Sequence, residues 1–135
     1  MAHWLVKSEP HTWSWQDQLG VDKEPWDGVR NFQAQKNMRS MAVDDTVLFY
    51  HSGKERVVVG LCRVAVAPYP DPDDDSGRFC LVDLSAIKSA TRPATLTNIK
   101  ATPALENIAL VRQPRLSVMS IEADAFDIIC EMAGL

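Results

Sequence analysis

The stretch TVLFYHSGKERVVVGLCRVAVA, residues 46–67, carries the strongest β signal in the chain. Thr46–His51 predicts one strand, and Arg56–Ala67, which is rich in valine, predicts a second and longer one. Ser52–Glu55 predicts the hairpin-like turn between them. Long neighbouring strands in a chain of 135 residues favour a curled sheet or small barrel with helices packed outside it.

Shorter elements are predicted on both sides of this hairpin. Ser14 predicts the N-cap of a helix that runs through Leu19 and ends at Gly20. Ser120 predicts the cap of a closing helix that Gly134 ends. The other predicted elements are strands at His3–Lys7, Arg78–Ser89 and Leu116–Ser120, a helix at Asn31–Met41 with Phe32, Met38 and Met41 facing inward, and helical turns within Ala94–Leu110. Residues 1–135 are expected to form a single α+β domain.

Composition argues against several classes of protein. The net charge is −4, whereas a protein that holds nucleic acid mainly through its phosphates is basic. Cys62, Cys80 and Cys130 are far apart among apolar neighbours, so we expect buried reduced thiols, no metal site and no cofactor. The chain has neither a membrane-length apolar run nor a signal-like N-terminus. We therefore expect a cytoplasmic monomer, associated with the nucleoid in a bacterium or nuclear in a eukaryote.

The segment EPWDGVRNFQ, residues 24–33, brings ligand-binding side-chain types together. Trp26 offers a stacking face worth roughly 1–3 kcal/mol per base, and Gly28 allows a close backbone approach. Asn31 and Gln33 present paired donors and acceptors that match the edge of a nucleobase. Residue types alone also allow Trp26 to fill the core and Asn31 to cap the following helix.

Two predicted strand ends carry further polar groups. Tyr50, His51 and Ser52 end one strand, and Lys7 and Ser8 end another; such ends are the usual place for ligand-facing residues. Neighbouring residues on a strand point to opposite faces, so His51 and Ser52 are poorly placed to act as base and nucleophile. No catalytic residue is predicted.

Eight short runs, in order from one end of the chain to the other, closely resemble the EVE domain family. They are WLVKSEP at 4–10, SW at 14–15, WDGVRN at 26–31, FYHS at 49–52, VGL at 59–61, YPDP at 69–72, LENIAL at 105–110 and RLSV at 115–118. The WDGVRN run is the most specific of them.

The resemblance implies a PUA-like small mixed β-barrel flanked by short helices, related to the YTH and ASCH domains. Those relatives read modified or unusual nucleobases in RNA or DNA, and EVE domains are thought to bind modified cytosines. Phe32 and Phe79 stand where the family would have a tyrosine and often a tryptophan, which implies a smaller stacking wall. The family's pocket maps onto Lys7, Ser8, Gly28, Val29, Arg30, Asn31, Tyr50, His51 and Ser52, with Trp26 close by.

We therefore predict a non-catalytic reader of nucleic acid that holds a flipped, modified base, namely a modified cytosine in DNA. Asn31 and Ser8 would read the polar edge of the base. Phosphates beside it would be held by Arg30, Lys7 and Lys54 or Arg56.

Two alternatives remain open from the sequence. The first is an enzyme acting on a small nucleotide or nucleic acid, with His51 as acid–base and Ser52 or Asp27 assisting. The second is a protein-interaction module that uses the acidic loop Asp71–Asp75.

Overall fold

The computed structural model describes residues 1–135 and has a six-stranded mixed sheet at its centre. The sheet order is β2-β5-β4-β3-β1-β6, in which β1 and β3 run parallel and all other neighbours run antiparallel. The strands are β1 (His3–Ser8), β2 (Glu24–Pro25), β3 (Thr46–His51), β4 (Val57–Pro70), β5 (Cys80–Thr95) and β6 (Val118–Ile121).

Short helices flank the sheet, which confirms the predicted α+β class. They are α1 (Trp15–Leu19), α2 (Phe32–Arg39), α3 (Leu96–Lys100), a 3₁₀ turn (Pro103–Leu105), α4 (Ala109–Arg112) and α5 (Ala123–Ala133). No helix has the length and apolarity that crossing a membrane would require.

The sheet is not closed into a barrel, and that part of the prediction is wrong. The edge strands β2 and β6 contain only two and four residues and do not pair with each other. Register shifts along the β4–β5 pair add local twist to the two long strands without joining the edges.

The central strand β3 fixes the core. Val47, Leu48 and Phe49 are fully buried on consecutive positions, so both faces of this strand are covered. The ring of Trp15 packs edge-on against Phe49, with centroids 5.1 Å apart. It also lies directly over Gly60, where an added Cβ would come within 2.3 Å of the ring, so only glycine fits there.

Two helix caps match the predictions, one differs, and one side chain predicted to face inward does not. Ser14 forms a full capping box with Asp17 at the start of α1. Asn31 caps α2, since its side-chain oxygen accepts a hydrogen bond from Ala34 N at 3.0 Å. Ser120 does not cap α5, because β6 continues through it to Ile121 and Glu122 takes the N-cap position. Phe32, predicted to face inward, is 81% exposed.

Candidate functional site

A cavity of about 380 Å³ opens where β1 ends beside the segment that follows β2. Six of the ten predicted ligand contacts line it: Lys7, Ser8, Trp26, Gly28, Val29 and Arg30. The other lining residues, which were not among the predicted contacts, are Glu9, Thr12, Trp13, Glu24, Pro25, Asp27 and Ser117.

Trp26 forms a largely buried wall of this cavity. Its backbone N–H donates to Val82 O at 2.7 Å, and its ring meets Phe49 edge-on with centroids 5.7 Å apart. The indole N–H groups of the other three tryptophans donate to protein side chains, but that of Trp26 has no protein partner. Since no fully buried side-chain polar atom lacks a partner, this N–H reaches solvent and can donate to a ligand.

Trp13 forms a second, half-buried wall and is held in place from both ends. The Ser8 hydroxyl donates to the Trp13 carbonyl oxygen, so this hydroxyl fixes the wall. The indole N–H donates to Gln18 Oε1 at 2.9 Å. Gln18 is fully buried and in turn donates to Leu84 O at 2.9 Å, which ties the wall to β5.

The segment from Gly28 to Arg30 closes a further side. Gly28 adopts φ +75°, a conformation that favours glycine, and so turns the chain after Trp26. The Val29 carbonyl accepts from Gln35 Nε2 at 2.8 Å, while Gln35 Oε1 accepts from Cys80 N at 3.0 Å. Through this one buried side chain, α2 anchors the cavity wall to the start of β5.

Arg30 is oriented by the acidic loop. Its guanidinium carbon lies 4.3 Å from the centroid of the Phe79 ring, a cation–π arrangement. Asp71 is buried and places Oδ2 3.9 Å from Arg30 Nη2. The Ser76 hydroxyl, with backbone amides of the same loop, lowers the pKa of Asp74 to about 2. Asp71 and Asp74 are therefore engaged by groups of the protein itself, whereas Asp73 and Asp75 are exposed.

Ionisable groups of both signs line the cavity. Burial raises the pKa of Glu24, and the nearby carboxylates of Asp27 and Asp83 raise it further. Burial lowers the pKa of Lys7, whose ammonium donates to Pro114 O at 2.8 Å. The cavity thus offers carboxylate acceptors as well as cationic donors, whereas the sequence had suggested carboxamides as the polar edge.

Asn31 lies outside this cavity, contrary to the expectation that it faces the ligand there. It lines a neighbouring cleft of about 340 Å³, and its carboxamide oxygen is occupied by the helix cap. The two sites share a border, because Arg30 precedes Asn31 and Leu116 precedes Ser117. The cleft is lined by Asn31, Gln33, Gln113, Pro114, Arg115 and Leu116.

Tyr50, His51 and Ser52 also lie outside the cavity and support it. Tyr50 is buried, with Lys7 Nζ 5.8 Å from its ring centroid. The Ser52 N–H donates to Ser8 O at 2.9 Å, which holds the β3–β4 turn against the end of β1. Their shared strand end is thus buried under the site instead of opening into it.

Both ring nitrogens of His51 are engaged. Nε2 accepts the Trp15 N–H at 2.9 Å, so the neutral ring carries its proton on Nδ1 and donates it to Glu55 Oε1 at 2.9 Å. An acid–base role for His51 would need a nitrogen free to face a substrate, and this arrangement leaves none.

The predicted phosphate contacts Lys54 and Arg56 line a third cleft, of about 460 Å³, together with Lys100. This cleft adjoins the main cavity through the β3–β4 turn, where Gly53 packs against the side chain of Glu9. Arg56 adopts φ +50°, an uncommon conformation for a side chain of this size. Three cations and one carboxylate, Glu55, thus lie beyond the rim of the cavity on one side.

The chain resembles proteins of known sequence and structure along nearly its whole length. It is 28% identical to human thymocyte nuclear protein 1 over 97% of this chain and 73% of that protein. The NMR structure of Rpa0253 from Rhodopseudomonas palustris is 41% identical, with a TM-score of 0.95 over 99% of this chain and 94% of that one. The crystal structure of human THYN1 in complex with DNA containing 5-methylcytosine is 26% identical, with a TM-score of 0.91 over 100% and 99% of the two chains.

More distant structures share only the fold. The ASCH protein of Zymomonas mobilis is 12% identical, with a TM-score of 0.61 over 97% of this chain and 95% of that one. The predicted structural relationship to ASCH domains is thereby confirmed. The EVE domain itself matches residues 2–132. This chain belongs to the EVE domain family.

Proposed function

We propose that this protein binds DNA and holds a modified cytosine, turned out of the double helix, in the cavity between Trp13 and Trp26. The observation that carries the proposal is a cavity of about 380 Å³ with two tryptophan walls and an indole N–H that no protein group uses. Pockets for small ligands span about 300–1,000 Å³ and combine apolar walls with a few polar groups. Support also comes from the related human protein, which forms a complex with DNA containing 5-methylcytosine.

The polar groups of the cavity suit the edge of cytosine. Carboxylates accept hydrogen bonds from the exocyclic N4 amine of cytosine, and Glu24 and Asp27 supply two. The indole N–H of Trp26 can donate to the ring nitrogen or the carbonyl oxygen on the same edge. Val29 and Pro25 offer apolar surface for a methyl group on the base.

The backbone of the strand would be held outside the cavity. Arg30 lies at its rim with about half of its side chain exposed. Lys54 and Arg56 face the third cleft, on the side of the β3–β4 turn. Phosphate contacts of this kind position a protein on DNA, and contacts to the base supply the selectivity.

The test compares matched DNA duplexes that carry one cytosine, 5-methylcytosine or 5-hydroxymethylcytosine. Binding is followed by fluorescence anisotropy at one salt concentration, for the wild type, Trp13→Ala and Asn31→Ala. Loss of a stacking wall costs roughly 1–3 kcal/mol, so Trp13→Ala should weaken binding to the preferred base about 5- to 150-fold.

The ratio of the affinities for modified and unmodified DNA distinguishes the main cavity from the neighbouring cleft. Trp13→Ala should reduce this ratio, whereas Asn31→Ala should preserve it, because Asn31 lies in the neighbouring cleft. Thermal unfolding of both variants establishes that they are folded at the assay temperature. The proposal fails if the wild type prefers no base, or if folded Trp13→Ala retains the preference.

A further inference from the structure

Apart from the terminal Met1, Phe32 is the most exposed large apolar side chain of the protein. It is 81% exposed, against 52% for the next, Ile87. The other apolar residues of α2, Ala34 and Met38, are fully buried, so the helix has a core-facing side and Phe32 lies off it. Phe32 contacts no other aromatic ring.

Phe32 lies close in the chain to residues of the cavity and of the neighbouring cleft. Two trans peptide steps of about 3.8 Å separate its Cα from that of Arg30, so the two are at most about 7.6 Å apart. On each side of it, Asn31 and Gln33 line the neighbouring cleft. The backbone of Phe32 therefore lies near both the cavity and that cleft.

The backbone that carries Phe32 is rigid. The Asn31 side chain caps the first turn of α2, and Gln35 is buried and bonded to both Val29 and Cys80. The position of the Phe32 Cα on the surface is therefore well defined.

The segment that carries Phe32 is rich in cations. Residues 29–43 contain Arg30, Lys36 and Arg39 and no aspartate or glutamate, although the whole chain has a net charge of −4. Arg115 adds a further cation in the neighbouring cleft. An exposed aromatic side chain within a cationic surface is complementary to a polyanion that carries stacked rings, which is nucleic acid.

We propose that Phe32 inserts into the DNA duplex beside the turned-out base and occupies the space that this base leaves in the stack. The proposal rests on the proposed function and extends it, because it names the side chain that would fill the space left by the turned-out base. Apolar side chains of this kind act as wedges between base steps, and their contact with the neighbouring bases offsets the loss of stacking.

The experiment compares a duplex bearing one 5-methylcytosine with the single strand of the same sequence. Phe32→Ala should bind the duplex about 10- to 100-fold more weakly and bind the single strand as the wild type does, since a single strand has no stack to open. Phe32→Leu, which keeps an apolar wedge, should recover most of the duplex affinity. Ile87→Ala is the matched control, because Ile87 is an exposed apolar residue in the middle of β5. This substitution should change neither affinity.

A second readout follows the stack directly. With 2-aminopurine beside the methylated base, the wild type should raise the fluorescence of the duplex on binding, and Phe32→Ala at saturating protein should raise it less. If Phe32→Ala loses the same affinity for duplex and single strand, Phe32 acts in base binding or in folding and the wedge is overturned. If it keeps the wild-type affinity for both, Phe32 has no role in binding, which also overturns the wedge. A wild type that binds the single strand alone overturns the wedge but not the base cavity, and one that binds neither overturns both.

Discussion

Replacing Gln35 by methionine removes the carboxamide that joins the cavity wall to β5 and keeps the length of the side chain. Gln35 is 2% exposed. Its Nε2 donates to Val29 O at 2.8 Å and lies 3.3 Å from Cys80 O, and its Oε1 accepts from Cys80 N at 3.0 Å. Methionine can form neither of the two shorter hydrogen bonds, so the buried Val29 carbonyl and the buried Cys80 amide both lose their partner.

The expected loss of stability follows from these two groups. A buried donor or acceptor left without a partner costs about 1–3 kcal/mol, so the pair costs about 2–6 kcal/mol. The lower part of this range is favoured, because Arg30 Nη1 lies 3.4 Å from Val29 O and offers weak compensation. Domains are typically stable by only about 5–15 kcal/mol, so the change is a large fraction of the total. At roughly 4 °C per kcal/mol, Tm should fall by about 8–24 °C.

Urea unfolding, followed by tryptophan fluorescence and circular dichroism, measures the free energy of unfolding of both proteins. Gln16→Met is the matched control, because Gln16 is exposed on α1 and its side chain has no hydrogen bond. The control should lie within about 0.5 kcal/mol of the wild type. If the free energy of unfolding of Gln35→Met is equally close to that of the wild type, and its slope against urea concentration is unchanged, Gln35 does not hold the cavity wall in the way its contacts indicate.

Three further substitutions test other parts of the site. Trp26→Phe keeps a ring against Phe49 but removes the unpartnered indole N–H, so binding of methylated DNA in an anisotropy titration should weaken about 2- to 13-fold. Trp15→Phe, which instead loses a bond to Ser89, should lower stability and leave this affinity unchanged. The pKa of Glu24 is raised, so its carboxylate takes up a proton at higher pH than an ordinary glutamate. Affinity should therefore be complete above the raised pKa and fall as the pH drops through it; Glu24→Gln should flatten this part of the Kd–pH profile. Gly28→Ala forces a side chain into φ +75° and should cost about 1 kcal/mol in urea unfolding, whereas Gly20→Ala, at φ −80°, should not.

Local sequence patterns predicted the elements that have local hydrogen bonds or a clear alternation of apolar and polar residues. Thr46–His51 forms the predicted strand to the residue, and Ser14 caps α1 as its spacing to Asp17 indicates. β5 extends six residues beyond the predicted end at Ser89. Its last part is polar and has no β pattern of its own; it is a strand because Thr95 pairs with Val57 of β4.

The candidate site was predictable only in part, for a related reason. The runs after β1 and β2 carry visible polar and aromatic residues, and the structure brings them into one cavity. Trp13 and Glu24 were missed because their positions depend on distant partners: Gln18 holds Trp13 through Leu84, and Glu24 pairs with the same residue. No sequence pattern predicts that the indole N–H of Trp26 lacks a protein partner. This is visible only when the hydrogen bonds of all four indoles are known.

Net charge alone does not describe how this chain meets a polyanion, because several of its carboxylates already have partners within the protein. Asp71 faces Arg30, Asp45 accepts the Trp4 indole N–H and two backbone amides, and Glu55 accepts from His51. Only two arginines, Arg30 and Arg63, form ion pairs, so most of the lysines and arginines, including those of the third cleft, have no carboxylate partner. A strand of DNA approaching the cavity would therefore meet cations without a carboxylate partner in the third cleft, namely Lys54, Arg56 and Lys100. The negative total limits non-specific attraction along the duplex, which leaves selectivity to the base that enters the cavity.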